Sequence, residues 1–402
     1  MPTKPSERQL DEFLTRGVAD VIVRDDLVRL LRSGERRLRI KQGFDPTRPN
    51  LHIGHAVPLR KLRTFAEWGH EIVIIVGDWT TQIGDPTDRD ETRPMMTHEA
   101  VLANAKTYLD QFHLIVPREN TRIVMQSEWF GKFGLREVIE LASRFTVQQL
   151  LAREEFRTRQ TAGTAIPVKD ILYPLLQAHD SVAIEADVEV GGTDQLFNVL
   201  GGRQLQEQVG QRPQNVFITQ LLEGLDGLKM SKSKPATGVW LTDAPNEVFG
   251  KVMSIHDDLM PHWFEWATEM PMPEVRATLD ALRSGELKPR DAKERLARRI
   301  VTELHSAEAA EAAAEAFVKQ FRDRSGASQT TSRPVNLDGA DVAIGELLVA
   351  LGLVRNKAEA RNLVKAGSVK IDGRAAAAEA RIARGTRPVI ELGRHRVQPD
   401  WE

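Results

Sequence analysis

The most informative stretch of this sequence for the fold is Gly43-Phe44-Asp45-Pro46-Thr47-Arg48-Pro49-Asn50-Leu51-His52-Ile53-Gly54-His55. A short β-type run at 38–41 precedes it, and the stretch passes through two prolines into an amphipathic segment at 52–68. That segment ends at Gly69, a residue type that commonly follows the last turn of a helix. The stretch therefore predicts a strand, a loop and a helix in direct succession.

The same alternation of short β-type runs and longer amphipathic segments extends from about residue 37 to 220. Further candidate strands lie at 71–76, 122–125, 182–190 and 216–219. Strands that alternate with helices are typical of a parallel sheet covered by helices. We expect a doubly wound parallel, Rossmann-like α/β domain over residues 1–235, in which ligands bind where strands end and helices begin.

The β-type signal ends near residue 236, and we expect a helical domain from 236 to 324. Residues 291–324 are rich in Ala, Glu, Lys and Arg, and Pro289 stands where it would open a helix. Polar and breaker-rich sequence at 325–341 predicts a linker. A compact domain is expected at 342–402.

The composition limits the possible functions. The 402 residues contain no cysteine, which excludes disulfides, thiolate nucleophiles and thiolate metal sites. Apolar residues make up 41% and charged residues 28%, a balance typical of a folded protein. The apolar runs are far shorter than the roughly 20 residues of a membrane-spanning helix, and the N-terminus has no apolar signal core. We therefore expect a cytoplasmic protein with several domains and no membrane contact.

The formal net charge is −2, so a nucleic-acid site has to be a local patch. Such a patch occurs at 355–374, where basic residues outnumber the acidic Glu359 and Asp372. The basic residues are Arg355, Lys357, Arg361, Lys365, Lys370 and Arg374. A solvated charged surface is the alternative interpretation.

Two histidines open the predicted helix at 52–68. With Asn50 as N-cap, His52 and His55 fall in the first turn on one face. A helix N-terminus presents free N–H groups and the positive end of the dipole, so both imidazoles stand where a polyphosphate would bind. Gly54 between them lets a flat ring approach the backbone. Half of a zinc site and a chance His-x-x-His pair are the alternatives, and neither a cysteine nor an obvious third ligand supports the metal.

A second motif runs Gly224-Leu225-Asp226-Gly227-Leu228-Lys229-Met230-Ser231-Lys232-Ser233-Lys234. Its glycines and aspartate predict a mobile turn, with ammonium and hydroxyl donors at the tip. Such a loop can fold over phosphates and neutralise charge that develops on a leaving pyrophosphate. Taken alone, a lysine-rich loop is more often solvated surface.

A third motif is Tyr173-Pro174-Leu175-Leu176-Gln177-Ala178-His179-Asp180, with Gly191-Gly192-Thr193-Asp194-Gln195 close behind it. Tyr173, Gln177 and Asp180 stand at i, i+4 and i+7, so a helix places all three polar groups on one face. A polar face turned to solvent is the alternative, since aspartate and glutamine are usually exposed.

The pair His52-Ile53-Gly54-His55 and Lys229-Met230-Ser231-Lys232-Ser233 resembles the HIGH and KMSKS signatures of class I aminoacyl-tRNA synthetases. Both signatures occur with every letter intact and in the order of that family. The third motif resembles the tyrosine pocket of bacterial tyrosyl-tRNA synthetases. The resemblance covers nearly the whole chain, and it implies a HUP-type catalytic domain with tyrosine, ATP and tRNA(Tyr) as substrates.

The resemblance also implies a role for each matching residue. Asp180 matches the position that accepts the hydrogen bond of the substrate phenol. The positions that hold the α-ammonium group are matched by Asp85, Tyr173 and Gln177, and Gln195 matches an adjacent pocket position. The expected ATP contacts are Asp45, His52, Gly54, His55, Gly192, Asp194, Leu222, Met230 and Lys232, with Asp194 at the ribose. The residues expected to act on the polyphosphate are Thr47, His52 and His55 from the fixed side and Lys229 and Lys232 from the loop.

One pair of residues departs from the better-known branch of that family. In that branch a Tyr-Cys pair precedes Gly-Phe-Asp-Pro-Thr, and its tyrosine also contacts the phenol, whereas this chain has Lys41-Gln42. A second bacterial branch with this kind of substitution is the closer match. The resemblance therefore leaves the second phenol contact unassigned.

The C-terminal half carries a resemblance as well. Residues 285–305 are similar to the helical anticodon-binding domain of the same family, and 342–402 resembles the RNA-binding module named after the fourth small-subunit ribosomal protein. The candidate tRNA contacts are then Arg355, Lys357, Arg361, Lys365 and Lys370. The family also implies a homodimer and Mg²⁺ bound with ATP, and the sequence shows no dedicated cage of acidic residues for the metal.

The expected reaction has two steps. The carboxylate of tyrosine attacks the α-phosphate of ATP to give tyrosyl-adenylate and pyrophosphate, and the terminal adenosine of the tRNA then takes the tyrosyl group. No protein nucleophile is needed, so catalysis should rest on positioning and placed charge. Two alternatives stay open. Asp180 and the long C-terminal extension count against activation of tryptophan, and the intact motifs count against an RNA-binding protein that has lost catalysis.

Overall fold

The computed structural model describes residues 2–86, 95–230, 237–326, 330–337, 339–354, 356–377, 379–392 and 395–401. The chain forms two compact units that divide after Ala314. Among the described residues, no helix is both long enough and apolar enough to cross a membrane.

The first unit is built on a sheet with strands β1 (Val18–Ile22), β2 (Arg39–Phe44), β3 (Glu71–Val76), β4 (Thr121–Met125), β5 (Val188–Gly192) and β6 (Asn215–Thr219). Their order is β1-β6-β5-β2-β3-β4, and every neighbouring pair is parallel except β1 with β6. The chain proceeds outward from β2 to β4 in one direction and from β5 to β6 in the other. This order confirms the predicted doubly wound α/β fold, and it places the reversal between β2 and β5.

The helices that accompany this sheet are α1 (Glu7–Thr15), α2 (Arg24–Ser33), α3 (Ile53–Glu67), α4 (Thr80–Ile83), α5 (His98–Phe112), α6 (Ser127–Phe130), α7 (Leu135–Ala142), α8 (Val147–Leu151), α9 (Glu154–Thr161), α10 (Val168–Ala183) and α11 (Leu196–Gln208). A short 3₁₀ turn at Thr193–Gln195 precedes α11. In β3, Ile72 and Ile74 pack into one buried cluster and Val73 and Ile75 into another. Because side chains alternate between the faces of a strand, this strand requires apolar cover on both faces.

The observed strand bounds differ from the predicted ones in detail. β3 matches the prediction, β4 and β6 each begin one residue earlier, and β2 begins one residue later and continues to Phe44. The predicted strand at 182–190 is wrong in its first part, because α10 continues to Ala183 and Glu185 turns the chain with a φ of 47°. An apolar run does not by itself mark where a buried helix ends and a strand begins. The edge strand β1 was not predicted.

Residues 237–326 contain helices and no strand within the described range, as predicted. The helices are α12 (Pro245–Met253), α13 (Met260–Trp266), α14 (Met272–Ser284), α15 (Pro289–Leu304) and α16 (Ala307–Gly326), with a 3₁₀ turn at Asp257–Leu259. Pro289 is the first residue of α15, where its missing N–H costs no hydrogen bond.

Part of this helical segment packs with the sheet domain as one compact unit. The Arg60 guanidinium on α3 donates to the carbonyls of Trp266 (3.0 Å) and Ala267 (2.9 Å) and pairs with Glu303 at 3.0 Å. The predicted boundary at 235/236 therefore does not separate compact units. The assignment of 1–235 to catalysis and of 236–324 to anticodon binding stays a prediction.

The second unit contains strands β7 (Thr331–Val335), β8 (Asp341–Ala343), β9 (Val369–Ile371), β10 (Arg374–Ala375), β11 (Arg381–Ala383), β12 (Ile390–Leu392) and β13 (His395–Trp401), with helices α17 (Ile344–Ala350) and α18 (Lys357–Lys365). The strands form a sheet in the order β10-β9-β12-β13-β7 and a second pair, β11-β8. Leu347, Leu348, Val369 and Ile390 are buried in its core.

The predicted linker at 325–341 is wrong in two places. Helix α16 continues to Gly326, and β7 forms inside the predicted linker, paired in parallel with β13. The Ser- and Thr-containing sequence before Pro334 is typical of a loop, yet proline is tolerated in an edge strand such as β7. Val335 anchors the strand because its side chain is buried in the core of the unit.

Candidate active site

The start of α3 is determined by a segment that is distant in sequence. The Ile53 N–H donates to the Val239 carbonyl (2.8 Å), and the Leu241 N–H donates to the Leu51 carbonyl (2.9 Å). These bonds hold residues 51–53 extended, so the N-cap is His52 and the prediction of Asn50 is wrong. His55 remains in the first turn of the helix, as predicted.

One cavity of about 380 Å³ brings the predicted ligand-binding residues together. Every predicted ATP or tyrosine residue within the described ranges lines it: Asp45, Thr47, His52, Gly54, His55, Asp85, Tyr173, Gln177, Asp180, Gly192, Asp194, Gln195, Leu222, Lys229 and Met230. Lys232 lies outside the described residues. The convergence follows from the topology, because β2 and β5 both end at this cavity and the strand order reverses between them.

The rings of the two histidines of the first motif lie close together, at an interplanar angle of 45°. Their ring centroids are 3.8 Å apart, and the His52 N–H donates to Nδ1 of His55 at 3.2 Å. A Cβ at position 54 would lie 3.0 Å from His52 Nδ1 and 3.2 Å from Met230 Cε. A side chain at this position would therefore crowd the His52 ring, and glycine allows the close approach of that ring to the helix backbone.

Lys229, from the second motif, contacts Asp194 in the short turn that follows β5. Its Nζ lies 2.9 Å from Asp194 Oδ2. Burial raises the pKa of Asp194 to about 6, and the neighbouring Asp85 carboxylate adds to this rise. Burial lowers the pKa of the Lys229 ammonium. The pair therefore consists of groups whose charges are sensitive to their surroundings.

Helix α10 presents its polar residues to the cavity. The Tyr173 hydroxyl donates to Asp45 Oδ2 at 3.0 Å, and the Thr80 hydroxyl donates to Asp45 Oδ1 at 2.7 Å. Burial and the Asp45 carboxylate raise the pKa of Tyr173, which keeps its hydroxyl protonated. The i, i+4, i+7 spacing is confirmed as a single cavity-facing set, and the alternative of a solvent-facing polar face is wrong.

Two polar groups beside Tyr173 have capacity for a cationic ligand. The buried Oε1 of Gln177 meets no hydrogen-bond donor among the residues that the structure describes. Asp85 accepts a hydrogen bond from Gln195 Nε2 at 2.9 Å. An unpaired buried acceptor beside a carboxylate is a favourable site for an ammonium group.

Asp180 is a deeply buried carboxylate of the cavity, with 2% of its surface exposed. Gln126 Nε2 donates to its Oδ2 at 2.8 Å, and Trp129 Nε1 donates to its Oδ1 at 3.2 Å. Burial raises the pKa of Asp180 to about 7, while the Lys41 ammonium and the Gln126 hydrogen bond oppose this rise. The carboxylate is therefore held in place and available to accept from a ligand hydroxyl.

Sequence reasoning missed three residues that organise the site: Thr80, Gln126 and Trp129. Gln126 Oε1 accepts a hydrogen bond from the Thr80 N–H at 3.0 Å, so this amide links Thr80 to Asp180. A usable signal was present, because Gln126 directly follows β4 and ligands bind at the carboxyl ends of parallel strands.

The predicted tRNA contacts that the structure describes are exposed on the second unit. Lys357, Arg361 and Lys365 lie on α18, and Lys370 lies on β9. Lys357 pairs with Glu346 at 2.6 Å. Arg355 lies outside the described residues.

Over the described ranges, no group of three or more His, Asp or Glu side chains could hold a metal ion. The acidic residues of the cavity instead have protein partners, as Asp45 has in Tyr173 and Thr80. The cavity residues that the structure describes therefore do not form a metal cage.

Comparison with known proteins places these features in a family. Residues 33–322 match the family described as tRNA synthetases class I (W and Y). The chain is 46% identical over 368 residues to a tyrosine–tRNA ligase of Dehalococcoides mccartyi, which covers 91% of this chain and 92% of that protein. It is 42% identical over 379 residues to the tyrosine–tRNA ligase of Carboxydothermus hydrogenoformans, with 92% of each chain covered.

A solved structure supports the fold. A C-terminally truncated mitochondrial tyrosyl-tRNA synthetase of Aspergillus nidulans superposes with a TM-score of 0.63 at 23% identity, covering 78% of this chain and 94% of that one. The chain belongs to the class I tRNA synthetases, in the family of the tyrosine–tRNA ligases.

Proposed function

We propose that this cavity carries out the tyrosine–tRNA ligase reaction, in which ATP activates L-tyrosine and the tyrosyl group then passes to the 3′ end of tRNA(Tyr). The observation that carries the proposal is the buried Asp180 carboxylate, which lines the cavity and is held by two N–H donors. A phenol hydroxyl is the ligand group that this acceptor suits. Phenylalanine would leave the carboxylate unpaired, and tyrosine–tRNA ligases are the standard example of such rejection.

The amino acid is bound at both of its polar ends. In our proposal Asp180 accepts from the phenol, while the α-ammonium group donates to Asp85, Gln177 and the Tyr173 oxygen. Gln195 supports Asp85 through its hydrogen bond of 2.9 Å. The substrate is thereby oriented with its carboxylate toward the histidines, which provides the proximity that an unactivated bimolecular reaction lacks.

ATP occupies the part of the cavity formed by the two signature motifs. Asp194 binds the ribose, Gly54 and Gly192 allow close approach of the nucleotide, and Leu222 and Met230 supply apolar contacts. Asp45, which lines the cavity together with Gly192 and Asp194, also binds the nucleotide in this proposal. Thr47, His52 and His55 bind the polyphosphate from the fixed side, and Lys229 and Lys232 bind it from the loop.

The first step forms a bond between a tyrosine carboxylate oxygen and the α-phosphorus, and it breaks the bond from that phosphorus to the oxygen bridging to the β-phosphate. The carboxylate is already ionised and pyrophosphate leaves as an anion, so no side chain has to act as nucleophile or strong base. The histidines and lysines stabilise the charge that develops on the leaving group. We propose that Mg²⁺ enters with the ATP phosphates rather than in a cage of side chains.

In the second step a hydroxyl of the terminal adenosine attacks the tyrosyl carbonyl, and AMP leaves. The basic residues of the second unit supply contacts to the tRNA in this proposal, because phosphate contacts dominate the affinity of proteins for nucleic acids. We place the reaction in the cytoplasm, consistent with a chain without cysteine.

We also propose that the chain works as a homodimer through its catalytic domain. Helix α7 exposes apolar side chains at i and i+4, with Leu135 76% and Ile139 58% exposed, and Val147 nearby in sequence is 59% exposed. An apolar stripe of this kind on a helix surface supports contact with another protein surface.

Amino-acid-dependent exchange of pyrophosphate into ATP tests the proposed function. The purified protein is assayed with each standard amino acid separately, and we expect exchange with tyrosine alone. Exchange with tryptophan would show that the Asp180 pocket has been misinterpreted, and no exchange with any amino acid would favour a non-catalytic RNA-binding protein. A Lys232→Ala variant with unchanged exchange would contradict the role of the loop.

A further inference from the structure

Lys41 occupies the position at which the better-known branch of the family carries a phenol-contacting tyrosine. Its side chain is 0% exposed. Its neighbours Gln42 and Glu189 line the cavity, whereas Lys41 lies behind them. A fully buried ammonium is costly unless all of its donors are satisfied. Each N–H donor of the Lys41 ammonium therefore needs an acceptor.

Three acceptors surround the Lys41 ammonium. Its Nζ lies 2.9 Å from Glu189 Oε1, 2.7 Å from Ser181 Oγ and 3.1 Å from the Gln177 carbonyl oxygen. Lys41 and Glu189 are register partners on the adjacent parallel strands β2 and β5, which explains why their side chains meet. All three N–H donors of the ammonium thus have partners.

The remaining acceptor capacity of Glu189 is also used. Its Oε2 accepts from Ser181 Oγ at 3.1 Å and from Gln214 Nε2 at 2.5 Å. A Cβ added at Gly202 would lie 2.5 Å from Ser181 Oγ and 2.9 Å from Gln214 Nε2. The fold therefore leaves space for this buried network by placing glycine at position 202 of α11.

The network holds the turn of α10 that presents both ends of the tyrosine site. Gln177 and Ser181, which contact Lys41, flank Asp180 in the sequence of this turn. The charged groups that act on Asp180 are Lys41 from β2 and Glu189 from β5, and Gln126 and Trp129 donate to it from the start of α6. His179, beside it on α10, is neutral near pH 7 because burial lowers its pKa to about 4.

We propose that Lys41 is a positioning residue for tyrosine recognition: its buried ion pair with Glu189 fixes the turn at 177–181, and its ammonium group supports the Asp180 carboxylate without touching the substrate. This inference rests on the proposed function. It assigns to an ion pair behind the phenol acceptor the task that a direct tyrosine contact performs in the other branch.

The test measures the Michaelis constant for tyrosine as a function of pH in pyrophosphate exchange. Lys41→Met leaves the Glu189 charge unopposed, so the pH below which tyrosine binding weakens should move upward, with KM for tyrosine raised about fivefold or more at pH 7. Glu189→Gln removes a negative charge that raises the pKa of Asp180, so the pH below which tyrosine binding weakens should move downward. KM for ATP should stay unchanged in both variants.

A third variant covers the case in which removal of a buried charge prevents folding. Ser181→Ala removes the hydrogen bonds of Ser181 with Lys41 and Glu189 without changing any charge. It should raise KM for tyrosine severalfold, while the pH below which tyrosine binding weakens stays the same. Lys61→Met is the matched control. Lys61 is another buried lysine, its Nζ donates to the Phe13 carbonyl at 2.7 Å, and it is not among the residues that line the cavity.

The opposite directions of the two charge variants separate positioning from a merely structural role. If the network had only a structural role, both charge variants would shift the pH below which tyrosine binding weakens in the same direction. Both would also change KM for ATP. The inference would be overturned if the folded variants kept both the KM for tyrosine and the pH below which tyrosine binding weakens. Failure of the unmodified protein to exchange with tyrosine would instead overturn the proposed function on which the inference rests.

Discussion

At the scale of single residues, the proposed function assigns one cavity carboxylate to each substrate. Asp180 lies among Gln126, Trp129 and the Lys41 charge, whereas Asp194 lies beside Asp85 and the Lys229 ammonium. Burial raises the pKa of Asp180 to about 7 and that of Asp194 to about 6. In the proposed function each carboxylate accepts from its ligand only when it is ionised, so each should set a lower pH limit for one substrate.

The pH dependence of ATP binding tests the role of Asp194. As the pH falls through about 6, Asp194 takes up a proton and can no longer accept from the ribose or pair with Lys229, so KM for ATP should rise. Asp194→Asn should raise KM for ATP about tenfold at neutral pH, since a hydrogen bond to a charged group is worth roughly 1.5–3 kcal/mol. The same variant should abolish the rise of KM for ATP below a pH of about 6.

The tyrosine dependence of the same reaction provides the internal control. KM for tyrosine should begin to rise near pH 7, the pKa of Asp180, which is higher than the limb for ATP. A KM for ATP that is independent of pH through 6, or a limb retained in Asp194→Asn, would show that Asp194 does not bind the nucleotide.

At the scale of elements, the contact of α11 with α10 and β5 depends on one glycine. Beside Gly202, a Cβ would lie 2.5 Å from Ser181 Oγ and 3.2 Å from Glu189 Oε2. The adjacent Gly201 has room, because a Cβ there would meet Ala178 Cβ at 3.7 Å and Phe145 Cε1 at 3.9 Å. Of these two neighbouring glycines, Gly202 is the one at which packing leaves no room for a side chain.

Alanine substitution at these two positions should have opposite effects on stability. Gly202→Ala forces side chains of a buried network apart and should destabilise the protein by about 1–3 kcal/mol. Gly201→Ala should be neutral or stabilising by up to about 1 kcal/mol, because alanine favours the helix. The midpoint of urea unfolding measures both changes, and equal effects would contradict the packing described for α11.

At the scale of the whole molecule, the sheet domain and the C-terminal unit have separate tasks in the proposed function. The first step needs only the cavity, whereas the second needs tRNA. Arg361 and Lys365 stand one turn apart on α18, are exposed, and form no ion pair within the described part of the chain. They are therefore available to contact phosphates.

Removal of this charge should affect the second step alone. Arg361→Ala together with Lys365→Ala should raise KM for tRNA in aminoacylation and reduce its dependence on salt, because fewer phosphates are neutralised. Tyrosine-dependent pyrophosphate exchange should be unchanged. Arg381→Ala is the matched control, since Arg381 already pairs with Asp341 at 2.8 Å. An equal effect of all these substitutions on KM for tRNA would argue against a site on α18.

The sequence by itself determined the features that depend on local patterns. The alternation of strands and helices indicated the doubly wound sheet, and the spacing of Tyr173, Gln177 and Asp180 placed them on one face of a helix. The signature motifs pointed to the cavity because loops at strand ends meet at one edge of a parallel sheet.

Only the tertiary structure decided the features whose partners lie far apart in the chain. Pairing of residues 51–53 with 239–241 moved the start of α3 from Asn50 to His52. Pairing with β13 turned part of a predicted linker into β7, and the register of β2 with β5 brought Lys41 against Glu189. Local sequence cannot specify these contacts, because the free energy that stabilises them comes from burial and hydrogen bonds between segments that meet only in the folded chain.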